Sequence, residues 1–438
     1  MVNKSYKWVL IALLSGAFFF HQADRALFGL LTVPIQADLN LTDVQIGWIN
    51  TTLSWTLAAM TVVAGFFGDR FSRKWIITLS LMAWSLMTVC MGFVGGFIGA
   101  LFFRSIATGV GESFYAPSAY ALIAAHHKET RSVALSIHQA ALYVGLMVSG
   151  LVVAWALGFL GSWRSVFFAF GAAGCALGVI FIWVLKDVSR RDAYPPAEGC
   201  PRSGCSSRGE SQRETNLRAS APPRENSSLS AGLRVYFCNP SALCATAGFV
   251  AIVFVNNAYL FWAPKFAAEK FALDVGEVGK GVMLWHHLFA FAAILAGGVI
   301  TDRFVKRMPR FRLGFQILAL LCGAPMLVLI GFAPSFAGLL VSASAYGVFR
   351  GFFEVNTHAS LFDVVPPEHR STAVGLLNMI AFFFGGLSGV AMGALSQRWG
   401  VRGFEIGFYV MGASYVVAAL LMSISFFFTF KKNRVVEV

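Results

Sequence analysis

Gly65-Phe-Phe-Gly-Asp69-Arg70-Phe-Ser-Arg73-Lys74 ends one apolar run, and Gly298-Val-Ile-Thr-Asp302-Arg303-Phe-Val-Lys306-Arg307 ends another far downstream. A second echo follows each copy: Glu129-Thr-Arg131-Ser132-Val-Ala134 is matched by Glu368-His-Arg370-Ser371-Thr-Ala373. The same punctuation in the same order means that two halves repeat in one orientation. In a membrane, that symmetry places a pseudo-twofold axis along the bilayer normal and a cavity between the halves. The halves are expected at 1–186 and 236–438, joined by a linker at 187–235.

The surroundings of the repeat are those of a membrane protein. Of 438 residues, 57% are hydrophobic and 13% charged, against about 25% charged in an ordinary soluble chain. Apolar character, 43 phenylalanines among it, is spread over the whole length, so many spans are expected and not one anchor. Twelve runs, at 7–33, 44–68, 74–94, 97–124, 131–158, 163–186, 236–262, 279–301, 312–332, 335–362, 371–396 and 403–430, are each long enough to cross about 30 Å of hydrocarbon as a helix. The expected fold is therefore an all-α membrane protein, twelve transmembrane helices in two halves of six. The 187–235 linker is rich in Arg, Ser, Pro, Gly and Glu and poor in aromatics, which predicts disorder apart from a short helix near 230–236.

The net charge of +13 would suggest an acidic or nucleic-acid partner for a soluble protein, but its distribution gives a different reason. Of 34 Lys and Arg, three lie within spans (Arg25, Arg104, Arg350), six in loops on one side (Arg164, Lys265, Lys270, Lys280, Arg398, Arg402), and the other 25 on the opposite side. The positive-inside rule puts that richer side, with both termini, in the cytoplasm of a cell whose inner membrane holds the chain. Topology accounts for the basic character, and no nucleic-acid partner is expected. Seven cysteines lie within or beside spans or in the linker, a pattern of structural thiols and not of a disulfide framework.

Charges inside spans are the functional signal, because each costs at least roughly 2.5–3.5 kcal/mol unless paired or facing a wet cavity. Arg104 and Glu112 share the fourth span with Gly109 and Gly111, which permit close helix approach, and with Pro117, which predicts a bend. In span one, His21-Gln-Ala-Asp24-Arg25 groups three ionisable side chains, with Asp24 and Arg25 diverging by about 100° so that they cannot serve one partner equally. Arg25, planar and always charged, suits bidentate capture of an anion; Asp24 and Glu112 are candidate proton carriers, and an Arg25–Glu112 pair would tie proton binding to anion binding. Arg350 and Glu354 share a face of span ten, either as a self-satisfied pair or as a cavity-facing anion site and proton site. His138, Gln139 and Asn378 are neutral candidates for substrate hydroxyls or for interhelical hydrogen bonds. Asp69, Arg70, Arg73, Asp302 and Arg303 are read as a gate whose contacts form only when the cytoplasmic ends of the halves approach. His286 and His287 point too far apart for a shared metal site; no metal, no cofactor and no enzymatic grouping is expected.

Twelve spans, the 6+6 repeat, the long central loop and the Gly65 to Lys74 motif together resemble the major facilitator superfamily. Asp24-Arg25, Gly109-x-Gly-Glu112, Trp262-x-Pro264 closing span seven, and Asn378 resemble its organic anion symporters that carry sugar acids; Asp24-Arg25, Gly109-x-Gly-Glu112 and Arg350-Gly-Phe-Phe-Glu354 also resemble the spinster-like lipid transporters. The resemblance implies a monomeric secondary transporter working by alternating access, whose partners are a small anionic substrate, protons and membrane lipid. The expected activity is proton-coupled symport of a sugar acid or other carboxylate. The rivals are lysolipid or lipid-phosphate transport and a membrane sensor that does not transport.

Overall fold

The computed structural model describes residues 6–127, 130–186 and 229–435, and within these the regular structure is helical with no strand. The N-terminal helices are α1 (Tyr6–Leu30), α2 (Thr32–Leu39), α3 (Asp43–Arg70), α4 (Arg73–Met91), α5 (Phe97–Ala100), α6 (Thr108–Ser113), α7 (Tyr115–His126), α8 (Arg131–Leu160) and α9 (Trp163–Val184), with a π-helical turn at Leu101–Ala107 between α5 and α6. The C-terminal helices are α10 (Leu229–Phe237), α11 (Pro240–Phe271), α12 (Val275–Val305), α13 (Phe311–Phe332), α14 (Phe336–Glu354), α15 (Thr357–Phe362), α16 (Arg370–Trp399), α17 (Val401–Ile424) and α18 (Phe430–Asn433).

Nine helices among the described residues are long and apolar enough to cross a membrane. Of the twelve expected spans, those outside that group are α1, α3 and the α5 to α7 stretch, which carry His21 to Arg25, Asn50 to Ser54, and Arg104 to Glu112. Bulky apolar side chains face outward, Trp155, Phe159, Trp183 and Phe428 among the most exposed, so lipid and not water is the solvent that this surface requires.

Several boundaries differ from the sequence expectation, each for a local reason. The first span breaks at Leu31, because Pro34 lacks the N–H that would bond the Leu30 carbonyl. The bend in the fourth span lies at Phe114, three residues before Pro117: the proline sits in the first turn of α7 and leaves the Ser113 carbonyl without its helical donor. Pro264 does not close the seventh span. α11 runs through it to Phe271, carried by the helix-forming stretch Lys265-Phe-Ala-Ala-Glu-Lys270, and ends only at Ala272 in the left-handed region (φ 51°). The short helix expected near 230–236 is α10.

α3 packs on α16, α8 on α12, and α1 on α11, so each of these contacts joins the N-terminal helices to the C-terminal ones. The joint is tightest at one end. Thr51 Oγ1 donates to the Gly386 carbonyl (2.8 Å), Trp55 Nε1 to the Phe383 carbonyl (2.9 Å), and Val44 N to Gln397 Oε1 (3.2 Å). A Cβ on Gly389 would stand 2.8 Å from the Gly47 carbonyl oxygen, so backbone touches backbone there. α3 is about 42 Å long at 1.5 Å per residue, which carries its other end to the far face of the bundle. There Asp302 and Arg303 are exposed, and neither makes an ion pair among the described residues.

Candidate functional site

Two charged layers meet α1 from different sides. Asp24 points toward α4 and the π-turn: Thr88 Oγ1 donates to its Oδ1 (3.1 Å), and Arg104 Nη1 lies 3.8 Å from Oδ2. Arg104 also donates through Nη2 to the backbone carbonyls of Arg25 (3.0 Å) and Asp24 (3.4 Å). The widened π-turn is what presents Arg104 at this depth, and such turns are frequent at functional sites. Asp24 is 6% and Arg104 4% exposed, so the two charges must compensate each other.

Arg25 turns the other way. Its Nε lies 3.8 Å from Glu112 Oε2, which His21 Nε2 approaches to 3.4 Å. Glu112 is 3% exposed, whereas the Arg25 side chain keeps 22% of its surface open. The glutamate is thus the sealed partner and the arginine the accessible one. Gly111 allows this depth, since a Cβ on it would meet the Trp84 backbone at 3.0 Å, and Ser80 Oγ donates to its carbonyl (2.5 Å). Trp84 packs edge-on against the His21 ring and walls the pair. The divergence of Asp24 and Arg25 inferred from helical geometry is what separates the two layers.

The neutral candidates divide. Tyr115 donates its hydroxyl proton to the Leu14 carbonyl (2.6 Å), so it can only accept from His138 Nε2, 3.3 Å away; this fixes the His138 proton on Nε2. Phe18 stacks on the His138 ring, and His138 is buried beside the His21 and Glu112 layer. Gln139 is exposed and accepts from Tyr120 (2.7 Å). Asn378 is half-buried on α16, apart from these contacts.

In the C-terminal helices, Arg350 Nη2 lies 3.3 Å from Glu354 Oε2 one turn along α14, and Nη1 lies 3.0 Å from His286 Nε2. A guanidinium cannot accept, so His286 Nε2 does, and its Nδ1–H donates to the Ala343 carbonyl (3.1 Å). The ring is held neutral. Tyr259 and Tyr346 flank it, and the Tyr143 hydroxyl from α8 faces the Glu354 carboxylate, so the two groups of helices meet here. His287 instead turns its Nδ1 to the Met283 carbonyl (2.8 Å). Among the described residues no group of three His, Cys, Asp or Glu side chains is placed to hold a metal.

Of the gate residues, Arg73 reaches the Ala121 carbonyl within the N-terminal helices (3.4 Å); the side chains of Asp69 and Arg70 lie outside the described residues. A lock that sequence reading missed lies at the opposite end. Lys265, 3% exposed, pairs with Asp43, which also accepts from Ser396 Oγ (2.5 Å) and from Gln36 Nε2 (2.7 Å); Glu269 stands 3.4 Å from the same ammonium. Ending the seventh span at residue 262 had put Lys265 in a loop, where a lysine needs no explanation. Arg104 was visible as an in-span charge, but its partner across the helices was not.

A sequence profile of the Major Facilitator Superfamily matches residues 13–332 and 288–436. The probable galactarate/D-glucarate transporter of Bacillus subtilis (strain 168) is 23% identical over 95% of this chain and 91% of its own length. Protein spinster of Drosophila melanogaster is 24% identical over 89% of this chain, which spans 62% of that longer protein. Among solved structures, a bacterial homolog of the human lysosomal transporter spinster, in an inward-facing and unoccupied conformation, superposes with a TM-score of 0.82 at 19% identity over all of both chains, a likeness of fold.

Proposed function

The chain belongs to the Major Facilitator Superfamily and is a multi-pass membrane transporter, not an enzyme; we propose that it is a proton-coupled symporter of a small organic anion, a sugar acid or other carboxylate. The observation that carries this reading is the Arg25–Glu112 pair, with the acid sealed and the base accessible. While Glu112 is ionised it holds Arg25. Protonation of Glu112 frees the guanidinium for bidentate capture of a carboxylate, so proton and anion load together. Asp24, held by Arg104 and Thr88, is a second proton carrier, and His138, Gln139, Asn378 and Arg350 line the route for substrate polar groups, with Glu354 as a further proton site.

Twelve spans in two halves of six, 1–186 and 236–438, would then rock about this site, with termini and the 187–235 linker in the cytoplasm of a cell with the chain in its inner membrane. In that orientation the Asp43–Lys265 lock closes the outside, and the conformation described faces inward. The gate of Asp69, Arg70, Arg73, Asp302 and Arg303 would form when the cytoplasmic ends approach, which suits the exposed positions of Asp302 and Arg303 here.

The test is uptake into proteoliposomes, with sugar acids, dicarboxylates and lysolipids offered against an imposed proton gradient. Accumulation of a carboxylate that collapses with a protonophore is the expected result; gradient-independent movement of lysolipid alone would replace the reading. The lysolipid alternative draws on one observation, an apolar groove of about 540 Å³ between α12 and α14, bounded by Trp285, Phe289, Leu340 and Val341 and open to lipid.

A further inference from the structure

The Glu368-x-Arg370-Ser371 echo has no part in the transport reading, yet Arg370 opens onto a cavity of about 430 Å³ at the end of the bundle that carries the chain terminus. Four elements converge there. Arg312 comes from the first turn of α13, Phe362 and Asp363 from the end of α15, Arg370 from the start of α16, and Arg434 from just beyond α18. The cavity is built and held: Arg312 Nη1 pairs with Asp363 Oδ1 (2.9 Å), Arg370 Nη2 donates to the Phe362 carbonyl (3.0 Å), and Val435 N donates to the Asp363 carbonyl (2.9 Å). Asn433 anchors the same terminal stretch through Nδ2 to Asn239 Oδ1 (2.8 Å) and Ser241 Oγ (3.2 Å), which fixes Arg434 at the cavity mouth.

Among the described residues the lining carries three guanidinium groups and one carboxylate. Burial raises the Asp363 carboxyl above its ordinary range while Arg312, Arg434 and Arg370 pull it down, so all three positive fields converge on one point. Arg434 is exposed and has no ion-pair partner among the described residues. Planar guanidinium forks around a cavity, with an aromatic wall from Phe362, match the oxygen geometry of a phosphate better than that of a neutral or cationic group.

We propose that this cavity is a binding site for a phosphate monoester anion, separate from the transport route, supplied either by an anionic lipid headgroup or by a soluble phosphate compound. Phosphate oxygens would be held by Arg434 and Arg312 while the Asp363 carboxylate keeps Arg312 oriented. Occupancy would join α13, α15, α16 and the terminal stretch into one block.

The test uses the full chain in nanodiscs, comparing the parent protein with Arg434→Gln and with the double variant Arg312→Gln/Arg434→Gln. One arm titrates inorganic phosphate and glycerol phosphate in phosphatidylcholine discs and follows thermal unfolding; the other counts retained lipids by native mass spectrometry with phosphatidic acid present. Saturable stabilisation by the soluble phosphates assigns a soluble ligand, and one retained phosphatidic acid that phosphate competes away assigns the headgroup. In either case affinity should fall about tenfold in Arg434→Gln and further in the double variant, while Lys306→Gln/Arg307→Gln, on the same face outside the cavity, should leave it unchanged. Equal binding by parent and double variant, or equal loss in the Lys306/Arg307 control, would overturn the site in favour of general attraction to a basic face. Should the double variant fold poorly, Arg434→Gln alone decides, because Arg434 is exposed and belongs to no ion pair among the described residues.

Discussion

The two clusters of buried charge are built on opposite plans. In the N-terminal helices, two acids and two arginines meet across α1, the π-turn and α6, and each pair joins different elements. In the C-terminal cluster around His286, the ion pair of Arg350 and Glu354 lies on one helix, and the remaining partners are a neutral histidine and tyrosines. A pair spanning two helices makes helix position depend on protonation, because losing one charge leaves the other buried on a different element. A pair on one helix moves as a unit and transmits less. The N-terminal cluster is thus built so that a change of charge on one element is felt on another, as the proposed coupling requires, whereas the C-terminal cluster is a charge-balanced pair on a single helix.

The largest expected effect that could break this contrast is on stability. Arg104→Gln strands Asp24 at 6% exposure and should cost about 3–5 kcal/mol, most of it recovered in Arg104→Gln/Asp24→Asn. Arg350→Gln leaves Glu354, whose side chain is 34% exposed, free to reach water and should cost only about 1–2 kcal/mol. Unfolding in detergent with the double-mutant cycle compares the two; equal costs would mean that the clusters are energetically alike. Next comes coupling. Glu112→Gln should retain counterflow of substrate yet lose gradient-driven accumulation, with Asp24→Asn behaving similarly, while Glu354→Gln, at the further proton site on a single-helix pair, should weaken accumulation without abolishing it. Accumulation that persists in both N-terminal variants would remove coupling from that cluster.

A smaller effect sharpens the roles inside the N-terminal cluster. Arg25→Lys keeps the charge facing Glu112 but loses the planar fork, so affinity for a carboxylate should fall about tenfold, or about 1.4 kcal/mol, with folding preserved. Unchanged uptake kinetics would take Arg25 out of the binding site.

How far the sequence discloses this depends on whether a feature is local. Asp24 and Arg25 lie side by side, so the angle between adjacent helical residues was enough to assign them different partners, and the Arg25–Glu112 pair is present as expected. The helical, membrane-spanning character followed from apolar runs far longer than any boundary error. Arg104 with Asp24 and Lys265 with Asp43 were not legible, because each pair depends on how two distant helices rotate against one another. The prolines misled for a related reason: Pro117 acts on the carbonyl four residues earlier, which moves the bend upstream, and Pro264 is tolerated by the good helix formers that follow it. His286 was set aside as a poor metal ligand, and its acceptor role became visible only once Arg350 stood 3.0 Å away.

The smallest effect tests whether the clusters communicate at all. Tyr143 rises from α8, an N-terminal helix, and turns its hydroxyl to Glu354 on α14, while its ring packs 5.6 Å from Phe291 on α12. Tyr143→Phe removes one oxygen and leaves the ring packing intact, so the change should be worth no more than about 0.5–1.5 kcal/mol. Because Tyr143 and Glu354 belong to helices that must separate if the two groups rock apart, that energy enters the balance between the two access states. The variant should shift this balance by up to about tenfold in population, away from the conformation closed at the Asp43–Lys265 end, and should leave Arg104-dependent stability untouched. Spin-label distances across both ends of the bundle report the shift, with Lys265→Ala as a larger displacement in the same direction. Distances that match the parent protein in Tyr143→Phe but move in Lys265→Ala would show that the clusters work independently and that the closed end alone sets the balance.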